Sequence, residues 1–165
     1  MSRIRSLFTK GAELRERTDI NALIGELARL IREEAIRHNV AIKLRLSSDI
    51  PQLSLDLVQI QQVLLNLAMN AMEAMAEASA IRELEISSEI QDGREVVVTV
   101  RDHGIGLSEQ IRERVFDPFV TTKPEGTGMG LAICRSIIEA HDGRIWAEAL
   151  DGGTAFRFSV GVKAR

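Results

Sequence analysis

The chain is poor in cysteine. Cys134 stands alone among 165 residues, which excludes an internal disulfide and suits a reducing compartment. Long apolar runs are missing too: none approaches the ~18 residues that a membrane-crossing helix needs. The opening MSRIRSLFTKGAELRERT is charged throughout and lacks the apolar core of a signal peptide. These three absences are those of a cytosolic chain. Charge of one sign is missing as well. Lys and Arg number 21 against 24 Asp and Glu, for a formal charge of −3, so the basic face expected of a nucleic-acid binder has no support. A small anion is not excluded, because backbone N–H groups can hold one without net positive charge.

What is present suffices for a packed domain, with 45% hydrophobic and 27% charged residues. Residues 1–17 are expected to be helical and close on a charge run, Glu13, Arg15, Glu16 and Arg17, with few apolar positions to bury. Thr18-Asp19 offers a cap, after which Leu23, Leu27, Leu30 and Ile31 recur at helical spacing up to His38. Ala41 to Leu46 alternates as a half-buried strand, Ile42, Leu44 and Leu46 on one side. Pro51 interrupts. Asp56 with Gln59 resembles a capping box opening a helix to about Ala78. Leu84–Ile90 and Glu95–Arg101 flank Asp92-Gly93 as a hairpin. A loop rich in Gly, Pro and Thr spans Asp102 to Gly128, and a helix runs from Met129 to His141 before Asp142-Gly143. Arg144–Ala149 and Thr154–Val162 form a second hairpin about Asp151. Three helices and about five strands, arriving as hairpins, predict an α+β fold. It is a two-layer sandwich of a mixed sheet with the helices on one face.

The helix DLVQIQQVLLNLAMNAMEAMAEA carries Gln59, Gln62, Asn66, Asn70, Glu73 and Glu77 at spacings of 3, 4, 4, 3 and 4, a single polar stripe. One reading is an ordinary solvent face. The other is a site: each Asn costs up to ~0.7 kcal/mol of helix propensity, and two side-chain carbonyls at i, i+4 could hold a hard cation such as Mg²⁺. Asp102-His-Gly104-Ile-Gly106 ends a valine strand. It could be an ordinary turn, or a place where a flat ligand meets backbone and a carboxylate meets an exocyclic amine. Gly126-Thr127-Gly128-Met129-Gly130-Leu131 opens a helix, where free N–H groups favour phosphate. No Gly-Lys-Ser/Thr follows, so it is not a Walker loop. Thr121, Thr122 and Lys123 put a cation within reach of that loop.

In this order the pieces resemble the superfamily of gyrase, heat-shock chaperones, histidine kinases and mismatch-repair ATPases, over roughly Asp19 to Val162. Gln62-Val-Leu-Leu-Asn66-Leu-Ala-Met-Asn70 looks like the N box, and Asp102 to Gly106 like the first glycine box. Phe116-Asp-Pro-Phe119 looks like the F box, Gly126 to Leu131 like the second glycine box, and Gly152-Gly153-Thr154-Ala-Phe156 like the terminal Gly-Gly-Thr-x-Phe. The resemblance implies a Bergerat-type ATP-binding fold, with ATP and Mg²⁺ as cofactors. Asn70 would be the Mg²⁺ ligand with Asn66 beside it, and Asp102 would bond the adenine amine in a pocket shaped by Gly104 and Gly106. Phe116 and Phe119 would anchor a lid, Gly126, Thr127, Gly128, Met129, Gly130 and Leu131 would wrap the phosphates, and Thr154 would back the adenine.

ATPase members carry a glutamate four residues before the N-box asparagine, to activate water; here Asn66 holds that position. The branch implied is the sensor histidine kinases, in particular those similar to nitrogen, oxygen and dicarboxylate sensors. An ATPase or a non-catalytic nucleotide-binding module is the alternative. His38, His103 and His141 stand outside the context of a phosphoacceptor. His38 reads as a surface residue and His141 as a helix-end residue favoured by the macrodipole. Residues 1–17 resemble the tail of a dimerisation helix, with 18–165 as the catalytic domain. The implied partners are a dimerisation domain bearing the acceptor histidine and a downstream response regulator. Contact with nucleic acid or membrane is not expected.

Overall fold

The computed structural model describes residues 14–75, 81–118 and 130–162. The chain enters as β1 (Glu16–Thr18) and turns into α1 (Ile20–Leu30) and α2 (Arg32–Arg37). It continues through β2 (Ala41–Leu46), β3 (Leu53–Leu55), α3 (Leu57–Ala74) and the hairpin β4 (Glu83–Gln91) and β5 (Glu95–Asp102). A short α4 (Glu109–Arg114) follows, then α5 (Gly130–Ala140) and the hairpin β6 (Arg144–Leu150) and β7 (Gly153–Gly161).

The five-stranded sheet runs β2-β4-β5-β7-β6. Only β2 against β4 is parallel, the other pairs being antiparallel, so the sheet is mixed as expected. Alternation assigns its faces. Leu84, Ile86, Val96, Val98, Val100, Phe156, Phe158 and Val160 are buried on one side, where α3 adds Ile60, Val63, Leu64, Leu67, Ala71 and Met72. The other side carries charges, paired as Arg45–Glu85 at 2.6 Å and Arg157–Glu148 at 2.8 Å, with Arg144 4.4 Å above the Trp146 ring. A sheet with one dry face and one wet face needs a single helical layer, which is the sandwich.

Several details depart from the sequence reading. Helix does not continue to residue 17: Glu16–Thr18 is a strand, paired antiparallel with Leu53–Leu55 in a separate ribbon. Residues 1–13 lie outside the described residues. The expected helix from Ile20 to His38 is broken at Ile31, with φ −94° and ψ 7°, so that α2 can turn toward the edge strand. α2 then ends in a Schellman closure, Asn39 at φ 57° and Val40 donating to the Ala35 carbonyl at 2.8 Å. β2 is more exposed than half-buried, Leu44 standing at 38%, because it is the sheet's edge.

Candidate functional site

Asp102 is the last residue of β5 and only 2% exposed. Its carboxylate accepts the Gly104 N–H at 2.8 Å. Burial raises its pKa, while backbone hydrogen bonds from Gly104 and Thr154 and the charge of His103 pull it back. A buried carboxylate whose charge is poorly solvated is suited to accept from an amine brought by a ligand. Thr154, 3% exposed, lies directly across the ladder from Asp102. Gly153 beside it has no room for a side chain: a Cβ there would stand 2.0 Å from the Asp102 carbonyl oxygen. Gly104 is equally constrained, since its Cβ would meet the Ala74 carbonyl oxygen at 2.6 Å and the Ala74 Cβ at 2.8 Å. The first glycine loop therefore rests on the C-terminal end of α3. Gly106 holds φ +81°, a conformation that disfavours side chains.

On α3, Asn66 of the polar stripe faces α5. The Asn66 amide nitrogen approaches the Gly130 carbonyl at 3.5 Å and Cys134 Sγ at 3.7 Å. Burial pushes the Cys134 thiol up to about 11, against a lowering by its contact with Asn66. It is inert at neutral pH, the small buried residue expected. Asn66 thus joins the N-box helix to Gly130, the first residue of α5. Asn70, one turn on, is partly exposed. Among the described residues no group of three His, Cys, Asp or Glu could hold a metal, so a cation here would rest on one amide oxygen, nucleotide phosphates and water. That donor set fits Mg²⁺, which keeps several waters and takes few protein ligands.

Phe116 is 7% exposed and meets Phe156 edge to face, centroids 6.0 Å apart at 89°. It is anchored in the core, and ties the segment after α4 to the Gly-Gly-Thr-x-Phe strand. Ser108 caps α4 by accepting the Ile111 N–H at 3.3 Å, where the sequence predicts only loop. Gly130 and Leu131 open α5. Phe119, Thr121, Thr122, Lys123, Gly126, Thr127, Gly128 and Met129 lie outside the described residues.

His141 departs from its expected role. It is 3% exposed, and burial lowers its pKa, aided by Arg15. The macrodipole reading needed a charged imidazolium. Its Nε2 instead accepts the Asp56 N–H at 3.0 Å. Asp56 does cap α3, accepting the Gln59 N–H at 3.2 Å, but the return bond of the expected capping box comes from His141, 85 residues away.

Residues 55–164 match the family model described as histidine kinase-, DNA gyrase B-, and HSP90-like ATPase. Sensor protein TdiS of Thauera aromatica is 38% identical over 165 residues, covering 98% of this chain and 30% of that protein; the chain spans under a third of that relative's length. The solved catalytic domain of histidine kinase ThkA, nucleotide free, superposes with a TM-score of 0.80 at 35% identity, covering 89% of this chain and 95% of that one. ThkA in complex with response regulator protein TrrA superposes with a TM-score of 0.78 at 30% identity, covering 98% of this chain and 48% of that one.

Proposed function

The chain belongs to the histidine kinase-, DNA gyrase B-, and HSP90-like ATPase family and is a catalytic domain of the histidine-kinase kind, and from that premise we propose that it binds ATP with Mg²⁺ and transfers the γ-phosphoryl group to a histidine of a dimerisation domain outside this sequence. The observation that carries the proposal is the pairing of a buried carboxylate, Asp102, with a glycine loop pressed on the end of the asparagine-bearing helix.

The Asp102 carboxylate accepts the adenine amino group, which selects adenine over guanine. Thr154 backs the base, and Gly104 and Gly106 let it approach the backbone. Asn70 offers its side-chain oxygen to Mg²⁺, and the phosphates are the expected ligand of Gly126 to Leu131 with Thr121, Thr122 and Lys123. Mg²⁺, held by Asn70, would offset the charge of the phosphates. The residue one turn before Asn70 is Asn66, which has no basic group to activate water and is directed at α5. Hydrolysis is therefore slow, while a neutral imidazole, already a competent nucleophile, needs chiefly to be positioned. The partners are the dimerisation domain and, downstream, a response regulator. The domain works in the cytoplasm, and no helix among the described residues is long and apolar enough to cross a membrane.

Labelled ATP supplied together with a separately prepared dimerisation domain tests this. Acid-labile label on that domain, with little phosphate released in its absence, is the expected result. Sustained phosphate release without an acceptor would favour an ATPase instead, and no ATP binding at all would leave a non-catalytic module.

A further inference from the structure

The two ring nitrogens of His141 have fixed roles. Nδ1 lies 2.8 Å from the Ile137 carbonyl oxygen, which only accepts, so Nδ1 carries the proton. Nε2 lies 3.0 Å from the Asp56 amide nitrogen, which only donates, so Nε2 presents its lone pair. The ring is therefore neutral, and a second proton would set one N–H against another inside a site where both residues are at most 5% exposed.

This bond has a counterpart. Asp56 precedes α3 and His141 follows α5, whereas Asn66 and Gly130 approach each other at the opposite ends of the contact. The two helices run antiparallel and are pinned at two points roughly 15 Å apart, ten residues at 1.5 Å rise each. We propose that His141 is a positioning residue for the nucleotide site: its neutral ring fixes the start of α3 against the end of α5, and so holds Asn66 and Asn70 in register with the glycine-led start of α5. The inference rests on the nucleotide reading of that site and supplies it with a pH dependence.

The charged groups facing the ring come from three directions. Arg15, ahead of β1, donates from its guanidinium to the Ala140 carbonyl and opposes protonation. Asp56 from the α3 cap and Asp142 from the turn after α5 favour it. Burial is the largest influence and disfavours the charge. The folded value thus lies below the ordinary 6.5. The released or unfolded chain binds the proton more readily, so the latch is complete above about 6.5 and weakens as pH falls toward the folded value.

The test is calorimetric titration of a non-hydrolysable ATP analogue from pH 8 to pH 5.5, on the chain itself, His141→Gln and His141→Leu. The glutamine can offer its side-chain oxygen to the Asp56 N–H and does not titrate. At pH 8 it should bind within about threefold of the parent, whereas the leucine variant, which leaves a buried N–H unmet, should bind about tenfold more weakly. As acid breaks the latch the parent should lose affinity relative to His141→Gln, by up to about tenfold, a comparison in which the titration of nucleotide and Mg²⁺ cancels. Parallel pH profiles for parent and glutamine variant, or a leucine variant that binds like the parent, would overturn the inference alone. Absence of binding by the parent at every pH would overturn the nucleotide reading and the inference together. Should either variant not fold, ¹⁵N chemical shifts of the parent's imidazole decide: the Nδ1–H tautomer at pH 7.5 is expected, and the Nε2–H tautomer or an imidazolium refutes it.

Discussion

Replacing Gly104 by alanine puts a methyl group where no space exists. The added Cβ would meet the Ala74 carbonyl oxygen at 2.6 Å, its carbon at 2.8 Å and its Cβ at 2.8 Å. Two of these atoms are backbone at the end of α3, so a rotamer change cannot relieve the contact. The first glycine loop and α3 must separate from 2.6 Å toward the 3.4 Å at which ordinary contact begins. Overpacking of this kind costs about 1–3 kcal/mol. With a urea dependence of roughly 2 kcal/mol per molar, the unfolding midpoint should fall by about 0.5–1.5 M. Function should suffer in parallel, because Asp102 stands two residues before Gly104 and Asn70 one turn before Ala74. In the proposed site their separation sets the distance between adenine and metal, and a tenfold or greater rise in Kd for an ATP analogue is expected, ~1.4 kcal/mol. Ala74→Gly in the same chain should restore only part of the loss, since the carbonyl contact remains. Urea melts and calorimetry measure both effects. A Gly104→Ala protein with Kd within about twofold of the parent would refute the reasoning.

Gly25, in the middle of α1, is the control: a Cβ there meets nothing within 4 Å, so Gly25→Ala should stabilise by up to about 1 kcal/mol and leave nucleotide affinity unchanged, as melts and calorimetry would show. Phe116→Ala removes a buried ring packed on Phe156 and should cost about 3–5 kcal/mol, read as a lower urea midpoint; Phe116→Leu should recover most of it.

The elements that sequence revealed are those with local signatures. The N-box helix shows its polar stripe and its Asp56 cap, and both hairpins show their turns, Asp92, Gly93 and Gly152 all taking positive φ. The Asp102 site was legible as a carboxylate followed by two glycines. The β1 and β3 ribbon was not, because three residues are too few for alternation to register, and its pairing joins Glu16 to Leu55. The break at Ile31 has no proline or glycine to mark it. The residues that Gly104 and Gly153 must accommodate are distant in sequence, so their need for glycine has a cause visible only in three dimensions. His141 shows the limit most plainly. Its place after a helix suggested a cation, and only the Asp56 N–H, brought from another helix, makes it an acceptor and therefore neutral.

The central claim is that Asp102 receives adenine. Parallel calorimetric titrations with ATP and GTP analogues in Mg²⁺, on the parent chain and on Asp102→Ala, test it most directly. The account predicts that the parent binds the adenine analogue in preference to the guanine one and that Asp102→Ala, still folded, loses that binding. Equal affinity of the parent for both bases, or undiminished adenine binding by Asp102→Ala, would contradict it.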